Sequence, residues 1–189
     1  VDVPSQARVV IVGGGIVGCS IAYHLVKRGV SDVVLLERRQ LTCGTTWHAA
    51  GLVGQLRATY NMSMLAKYAS ELFEDLERRT GLGTGFRRTG SLLLATNEGR
   101  WEEVKRSASM ARLCGFDVEV MDAADAARMW PLLDATDVIG AAHLPGDGVA
   151  NPTDVTMALA KAARMGGARI FEHTTVTGIA ERDGRISGV

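Results

Sequence analysis

The feature that most constrains this chain is a glycine-rich turn between an apolar strand and an apolar helix. Residues 13–18 have the pattern G-x-G-x-x-G, follow the β-branched run 9–12 and open a helix predicted over 16–28. Glu37 comes 19 residues after Gly18, at the end of the next apolar strand. Alone, the glycine pattern is weak evidence. Strand, glycine turn, helix, strand and acidic residue in this order are typical of a dinucleotide-binding βαβ unit.

Each glycine of the pattern has a distinct predicted role. Gly13 permits the tight turn, Gly15 lets the backbone approach a pyrophosphate, and Gly18 lets the helix pack close to the strand. The N–H groups at the start of the helix, at Ile16 and Val17, are predicted to face the phosphates. A glycine-rich turn in a similar sheet without a nucleotide is the alternative interpretation.

The segment that follows Glu37 favours FAD over NAD. The Glu37 carboxylate is predicted to hydrogen-bond the adenosine ribose, and its charge would repel the 2′-phosphate of NADP. An NAD-binding unit would normally continue into another helix, whereas residues 41–51 form a loop rich in Gly, Thr and Ala. Gly44, Thr45 and Thr46 offer N–H groups and hydroxyls to a second phosphate, as an extended flavin dinucleotide requires. An exposed loop is the alternative, and its apolar residues argue against full exposure.

Residues 41–52, LTCGTTWHAAGL, together with the glycine pattern and the pair Glu37-Arg38, resemble the dimethylglycine and sarcosine dehydrogenases of the D-amino-acid-oxidase-like flavoprotein superfamily. The resemblance implies that His48 is bonded covalently to the 8α-methyl of FAD and that the Val176 backbone contacts adenine. It also implies that tetrahydrofolate acts as an acceptor in a further C-terminal region. The residues that the glycine pattern, the loop and the resemblance together assign to FAD are Gly13, Gly15, Ile16, Val17, Gly18, Glu37, Arg38, Gly44, Thr45, Thr46, Trp47, His48, Ala50, Gly51, Leu52 and Val176.

The predicted fold class is α/β, a Rossmann-like FAD-binding parallel sheet with the start of a smaller α+β substrate domain inserted into it. The predicted domain bounds are 1–85 for the first part of the FAD-binding domain, 86–145 for the inserted segment and 146–189 for the second part. After residue 52, helices are predicted over 61–79, 98–113, 122–130 and 151–165, and strands over 88–96, 118–121, 138–144, 169–171, 176–179 and 186–189. Because the last strand has only begun at residue 189, we expect the protein to continue beyond it.

Composition limits the partners of this chain. Lys+Arg and Asp+Glu balance at 21 each, so no net charge favours nucleic acid or an anionic membrane surface. The three cysteines lack the spacing of a zinc or redox motif, and no metal site is predicted. Without an evident secretory signal or transmembrane run, we expect a soluble cytoplasmic protein, or a mitochondrial matrix protein if it is eukaryotic.

The function that these features predict is FAD-dependent oxidation of the N-methyl group of a small amine, of the sarcosine or dimethylglycine type, by hydride transfer to the flavin. The sequence identifies neither the electron acceptor nor a catalytic residue. Two alternatives stay open. In the first, the chain is a non-catalytic or regulatory relative, or a fragment inactive on its own. In the second, it is an NAD-dependent dehydrogenase, and the loop after Glu37 makes this the weakest of the three interpretations.

Overall fold

The computed structural model describes residues 2–189. Its strands are β1 Val9–Val12, β2 Val33–Leu36, β3 Leu52–Val53, β4 Arg87–Arg88, β5 Ser91–Ala95, β6 Glu119–Met121, β7 Gly140–Leu144, β8 Gly148–Val149, β9 Arg169–Phe171, β10 Ala180–Arg182 and β11 Arg185–Gly188. Its helices are α1 Ile16–Lys27, α2 Tyr60–Thr80, α3 Glu98–Leu113, α4 Ala123–Met129 and α5 Pro152–Met165, and a 3₁₀ helix covers Thr46–His48. Within residues 2–189, no helix is both long and apolar enough to cross a membrane.

The chain divides into two compact units. The first comprises Val1–Gly51, Phe73–Gly85 and Asn151–Val189, and the second comprises Leu52–Leu72 and Phe86–Ala150. The second unit thus includes residues 52–72, which the sequence-based division had assigned to the first part of the FAD-binding domain. The predicted domain bounds remain a proposal.

The first unit is built on a parallel sheet of order β1-β2-β9. Val10 pairs with Val34, and Leu35 pairs with Ile170. All four residues of β2 are buried, as expected of a central strand covered on both faces. The predicted α/β class with a parallel sheet is confirmed, because this sheet alternates with helices α1 and α5.

Helix α1 packs on α5, and most of its buried residues are small. Its buried residues are Gly18, Cys19, Ala22 and Tyr23. The repeat of Val17, Ile21 and Leu25 is one of the signals for this helix, yet Val17 is 69% exposed and Ile21 is 45% exposed. The predicted helix is confirmed, and its small residues allow α1 and α5 to approach closely.

The second unit contains two antiparallel sheets, of order β3-β8-β4 and β5-β7-β6. Helix α3 covers the latter, where Val104 and Ala108 pack against Ala95 and Ala142. Its bounds agree with the prediction, and the Asn97 side chain caps it by accepting a hydrogen bond from the N–H of Arg100.

The C-terminal part of the chain differs from the prediction at one strand. Residues 176–179, predicted as a strand, have no regular structure, and β10 begins only at Ala180. Asp183 and Gly184, a dipeptide typical of hairpin turns, have φ values of 53° and 73° and connect β10 to β11. These angles are typical of a type I′ turn, in which both central residues are left-handed.

Three further elements escaped prediction or were misassigned because they are short or interrupted. Residues 145–148 have the sequence PGDG, which is typical of a turn, yet Gly148 belongs to β8, the central strand of its sheet. The two-residue strand β3 was not predicted. The predicted strand 88–96 is divided at Gly90, whose φ of 73° interrupts the extended backbone between β4 and β5.

Candidate functional site

The glycine turn after β1 has the geometry that its pattern predicts. Gly13 has a φ of 109°, which L side chains rarely adopt, and a Cβ at this residue would meet nothing within 4 Å. A Cβ on Gly18 would collide with the carbonyl oxygen of Gly13. Gly13 therefore provides the turn and Gly18 the close approach of helix and strand. The open space beside Gly13 is compatible with a phosphate lying against the backbone.

The start of α1 is bonded to the 3₁₀ helix. The backbone N–H of Ile16 donates to Oγ1 of Thr46 at 3.0 Å, and Thr46 is only 8% exposed. A Cβ on Gly15 would lie 3.0 Å from the same hydroxyl oxygen. Gly15 thus makes room for the Thr46 hydroxyl, and one of the amides that we predicted to face a phosphate is bonded within the protein. No acidic residue occupies the first turn of α1, so its positive end remains favourable to an anion.

Glu37 is bonded on both carboxylate oxygens. Oε2 accepts a hydrogen bond from the N–H of Gly14 at 2.6 Å, and Oε1 accepts one from the N–H of Arg39 at 2.9 Å. Burial of the carboxyl favours its protonation, but these bonds, a contact from the Cys43 thiol and the charge of Arg38 outweigh it, and the pKa of Glu37 lies below its ordinary value. The side chain is therefore an anion at neutral pH and joins the end of β2 to the glycine turn.

The loop after Glu37 is fixed by the segment that follows β9. The N–H of Glu37 donates to the carbonyl of Phe171 at 2.9 Å, and the N–H of Thr174 donates to the carbonyl of Glu37 at 2.8 Å. The N–H of Leu41 donates to Oε1 of Glu172 at 2.7 Å. Sequence reasoning missed these contacts, because they join residues more than 130 positions apart.

These elements enclose a cleft of about 550 Å³ at the carboxyl ends of the parallel strands, where open α/β sheets bind their ligands. Ten of the predicted residues line it: Gly13, Gly15, Ile16, Val17, Gly18, Glu37, Arg38, Gly44, Thr45 and Thr46. Five residues that were not predicted also line it: Ile11, Val12, Ile21, Cys43 and Ala49. The exposure of Val17 and Ile21 on α1 now has an explanation, since both side chains form an apolar wall of this cleft.

Six predicted residues do not line this cleft. Trp47 and His48 lie on the 3₁₀ helix, followed by Ala50 and Gly51, while Leu52 belongs to the second compact unit. Val176 lines a separate cleft of about 590 Å³ that also contains Val10, Val34 and Leu36. The roles assigned to these six residues remain predictions.

Two cysteines beside the cleft differ in their environment. Cys19 is completely buried, and burial raises the pKa of its thiol to about 12. Its Sγ lies 3.7 Å from the carbonyl oxygen of Gly14. Such a thiol is not a nucleophile at neutral pH, so Cys19 serves packing. Cys43 is half-buried, lines the cleft and donates to Oε1 of Glu37 at 3.7 Å.

Comparison with known proteins agrees with this geometry. The family described as DAO, FAD dependent oxidoreductase, matches residues 8–189. The chain belongs to this family. Mouse sarcosine dehydrogenase is 42% identical over 95% of this chain and 20% of its own length. The mouse pyruvate dehydrogenase phosphatase regulatory subunit is 39% identical over 100% of this chain and 22% of its own length.

Related enzymes of known structure have the same fold. L-proline dehydrogenase from P. horikoshii superposes with a TM-score of 0.89 and 30% sequence identity, over 97% of this chain and 48% of that one. The predicted resemblance to sarcosine and dimethylglycine dehydrogenases is confirmed at about 40% identity. The chain spans about a fifth of the length of these curated relatives, so substrate and acceptor are matters for proposal.

Proposed function

We propose that the cleft between the glycine turn and the 3₁₀ helix holds the pyrophosphate and the adjoining ribose of FAD. The observation that carries this proposal is the open backbone at Gly13, next to the start of α1, whose first turn has no acidic residue. The pyrophosphate would lie against Gly13 and Gly15 at the start of α1, where the Ile16 amide is already bonded to Thr46. Each carboxylate oxygen has two lone pairs, so Oε2 of Glu37 retains one acceptor position for a ribose hydroxyl.

The remaining contacts of the proposed FAD site lie in the loop and beyond β9. Gly44, Thr45 and Thr46 would bind the second phosphate, beside Arg38 in the same cleft. The proposed contacts at Trp47, Ala50, Gly51 and Leu52, and the backbone contact of Val176 with adenine, rest on the family resemblance.

The same proposal includes a covalent bond between His48 and the 8α-methyl carbon of FAD. Forming this bond removes one hydrogen from the imidazole and one from the methyl carbon, and the two electrons pass to an oxidant such as dioxygen, which becomes hydrogen peroxide. Family resemblance supports this bond, and so does the position of His48 two residues after Thr46, whose side chain is bonded to the start of α1.

The reaction that we propose is oxidation of the N-methyl group of a small amine of the sarcosine or dimethylglycine type. FAD supplies the acceptor for the hydride, and the protein orients the reactants and sets the electrostatic environment. Support comes from mouse sarcosine dehydrogenase and human dimethylglycine dehydrogenase, both about 40% identical to this chain. Tetrahydrofolate, as acceptor of the one-carbon unit in a region beyond these 189 residues, belongs to the same proposal.

The proposed compartment depends on the source of the protein. Sarcosine and dimethylglycine dehydrogenases of mouse and human carry the description mitochondrial, whereas a 41% identical relative, 4-methylaminobutanoate oxidase, is bacterial. We therefore propose the mitochondrial matrix for a eukaryotic protein and the cytoplasm for a bacterial one.

Anaerobic reduction of the bound flavin tests the proposed reaction. The purified full-length protein is mixed without oxygen with sarcosine, dimethylglycine, glycine or proline, and the oxidised-flavin absorption is followed. We expect rapid loss of absorption with an N-methyl amine and formation of formaldehyde in proportion. Reduction by glycine or proline alone would assign the protein to a different amine oxidation.

A regulatory protein is the second candidate function. It is favoured by the 39% identity to the phosphatase regulatory subunit over the whole of this chain. This candidate predicts that FAD binds in the same cleft but stays oxidised with every amine, while a chemical reductant still reduces it. The anaerobic experiment therefore separates the two functions without a change of preparation.

A further inference from the structure

The rings of Trp47 and His48 are stacked on the surface of the first unit. Their centroids lie 3.8 Å apart with planes inclined by 32°. Trp47 is 58% exposed, so burial in the core does not account for its position. A large aromatic side chain that stays outside the core and lies on a histidine ring restricts the orientations that this ring can adopt.

A second contact fixes the His48 ring in its own plane. Nδ1 lies 3.2 Å from the carbonyl oxygen of Gly44. A carbonyl oxygen only accepts hydrogen bonds, so this contact requires a proton on Nδ1. In the neutral imidazole the other nitrogen, Nε2, then carries the lone pair. The ring is thus held on one face by the indole and at one nitrogen by the backbone.

The turn that carries both rings is itself anchored. The N–H of His48 donates to the carbonyl of Thr45 at 3.2 Å, and the N–H of Ala49 donates to that of Thr46 at 3.2 Å. Thr46 is in turn bonded to the N–H of Ile16 at the start of α1. The orientation of the imidazole is therefore defined relative to the helix that begins the proposed pyrophosphate site, which lies in the same compact unit.

We infer that Trp47 is a positioning residue: its indole, together with the Gly44 carbonyl, holds the His48 imidazole in the Nδ1–H tautomer and presents Nε2 for attachment of the flavin. This inference rests on the proposed function of His48. It does not require Trp47 to touch the flavin. The indole restricts rotation of the His48 ring before the bond to the flavin forms. Attachment is faster as a result, because a misplaced nucleophile reacts more slowly.

The test compares Trp47→Ala and Trp47→Phe in the full-length protein, with Trp130→Phe as the control for loss of another half-exposed indole. Apoprotein is mixed with FAD, and the covalent fraction is followed with time as flavin fluorescence on a denaturing gel. We expect attachment on the order of tenfold or more slower in Trp47→Ala, a rate between that of the alanine variant and wild type in Trp47→Phe, and a wild-type rate in the control. Non-covalent FAD affinity is measured for each variant by quenching of flavin fluorescence, and attachment is followed at saturating FAD, so that a lost contact between Trp47 and FAD does not appear as slower attachment.

A second readout does not depend on covalent attachment. Nitrogen chemical shifts of ¹⁵N-labelled histidine in the apoprotein, assigned by comparison with His48→Gln, report which ring nitrogen carries the proton. Wild type should show the Nδ1–H tautomer, and Trp47→Ala a mixture of the two tautomers. Attachment at the wild-type rate in Trp47→Ala, or a wild-type His48 with its proton on Nε2, would overturn the inference. If wild-type protein holds FAD only non-covalently, the proposed role of His48 fails, and the shifts still decide whether Trp47 orients the ring.

Discussion

Oε2 of Glu37 accepts a 2.6 Å hydrogen bond from the backbone N–H of Gly14, across 23 residues of sequence. This bond connects the end of β2 to the glycine turn after β1. It gives Glu37 a structural role in addition to its proposed contact with ribose, because the same carboxylate holds the turn in the conformation that leaves Gly13 open.

Glu37→Gln should destabilise the protein by about 1–3 kcal/mol at neutral pH, because hydrogen bonds to a charged acceptor are replaced by weaker ones. The pKa of Glu37 is lowered on folding, so its contribution is fully present above the ordinary carboxyl pKa and is lost as pH falls through the lowered value. Urea unfolding at pH 7 and below about pH 4 measures both effects. The difference between variant and wild type should shrink at the lower pH, and Glu181→Gln, at an exposed residue, should change little at either pH. A difference that grows with acidity would contradict the assigned direction.

Gly18→Ala should destabilise the first unit by about 1–3 kcal/mol or more, because the new methyl group would overlap the carbonyl oxygen of Gly13. The matched control is Gly178→Ala, where a Cβ meets nothing within 4 Å. In thermal unfolding followed by circular dichroism, only Gly18→Ala should have a midpoint temperature below that of wild type. Equal midpoints for both variants would show that the helix can move away from the strand at little cost.

Tyr23→Phe should leave stability unchanged or raise it by about 1 kcal/mol. The Tyr23 hydroxyl is buried and has no hydrogen-bond partner among the described residues, so its removal relieves the cost of an unpaired polar group. Tyr60→Phe, at a side chain that is 52% exposed, serves as the control. Urea unfolding provides the measurement. A clear loss of stability in Tyr23→Phe would mean that the hydroxyl has a partner in the folded protein.

Asp147→Ala should destabilise the second unit by about 1–3 kcal/mol for each partner left unpaired. Oδ1 of Asp147 accepts a hydrogen bond from the N–H of Gln55 at 2.8 Å, and Oδ2 accepts one from the Ser91 hydroxyl at 2.6 Å. Because Gln55 is buried, its backbone N–H cannot bond to water once the Asp147 carboxylate is removed. Asp117→Ala, at an exposed aspartate, should change the free energy of unfolding by no more than about 0.5 kcal/mol. Similar effects of the two substitutions would show that Asp147 does not hold this unit together.

Local signals were sufficient for the βαβ unit and for most of the cleft. Glycine spacing, the acidic residue after β2 and the Thr-rich loop all depend on nearby sequence, and ten residues predicted from them line one cleft. The start of α5 also follows a local pattern, since Asn151 before a proline is typical of an N-cap. The Asn151 side chain accepts hydrogen bonds from the N–H groups of Thr153 and Asp154.

What the sequence did not reveal depends on contacts between distant residues. Glu172 fixes the loop at Leu41 across 131 positions, and no local sequence pattern predicts this contact. The apolar repeat that includes Val17 and Ile21 predicts the helix but not the exposure of these side chains, because periodicity identifies a stripe and not what covers it. The failed strand at 176–179 shows the same limit, since its β-branched residues Val176, Thr177 and Ile179 favour strands only where a neighbouring strand pairs with them.

The most direct test of the account is the flavin content of the purified full-length protein before and after acid precipitation. We predict flavin absorption in the native protein, and flavin that stays with the precipitated chain and lies on the tryptic peptide 40–57 at His48. FAD released entirely to the supernatant, with that peptide unmodified, would contradict the attachment. A protein that binds no FAD at all, even when the cofactor is supplied in excess, would contradict the proposed site itself.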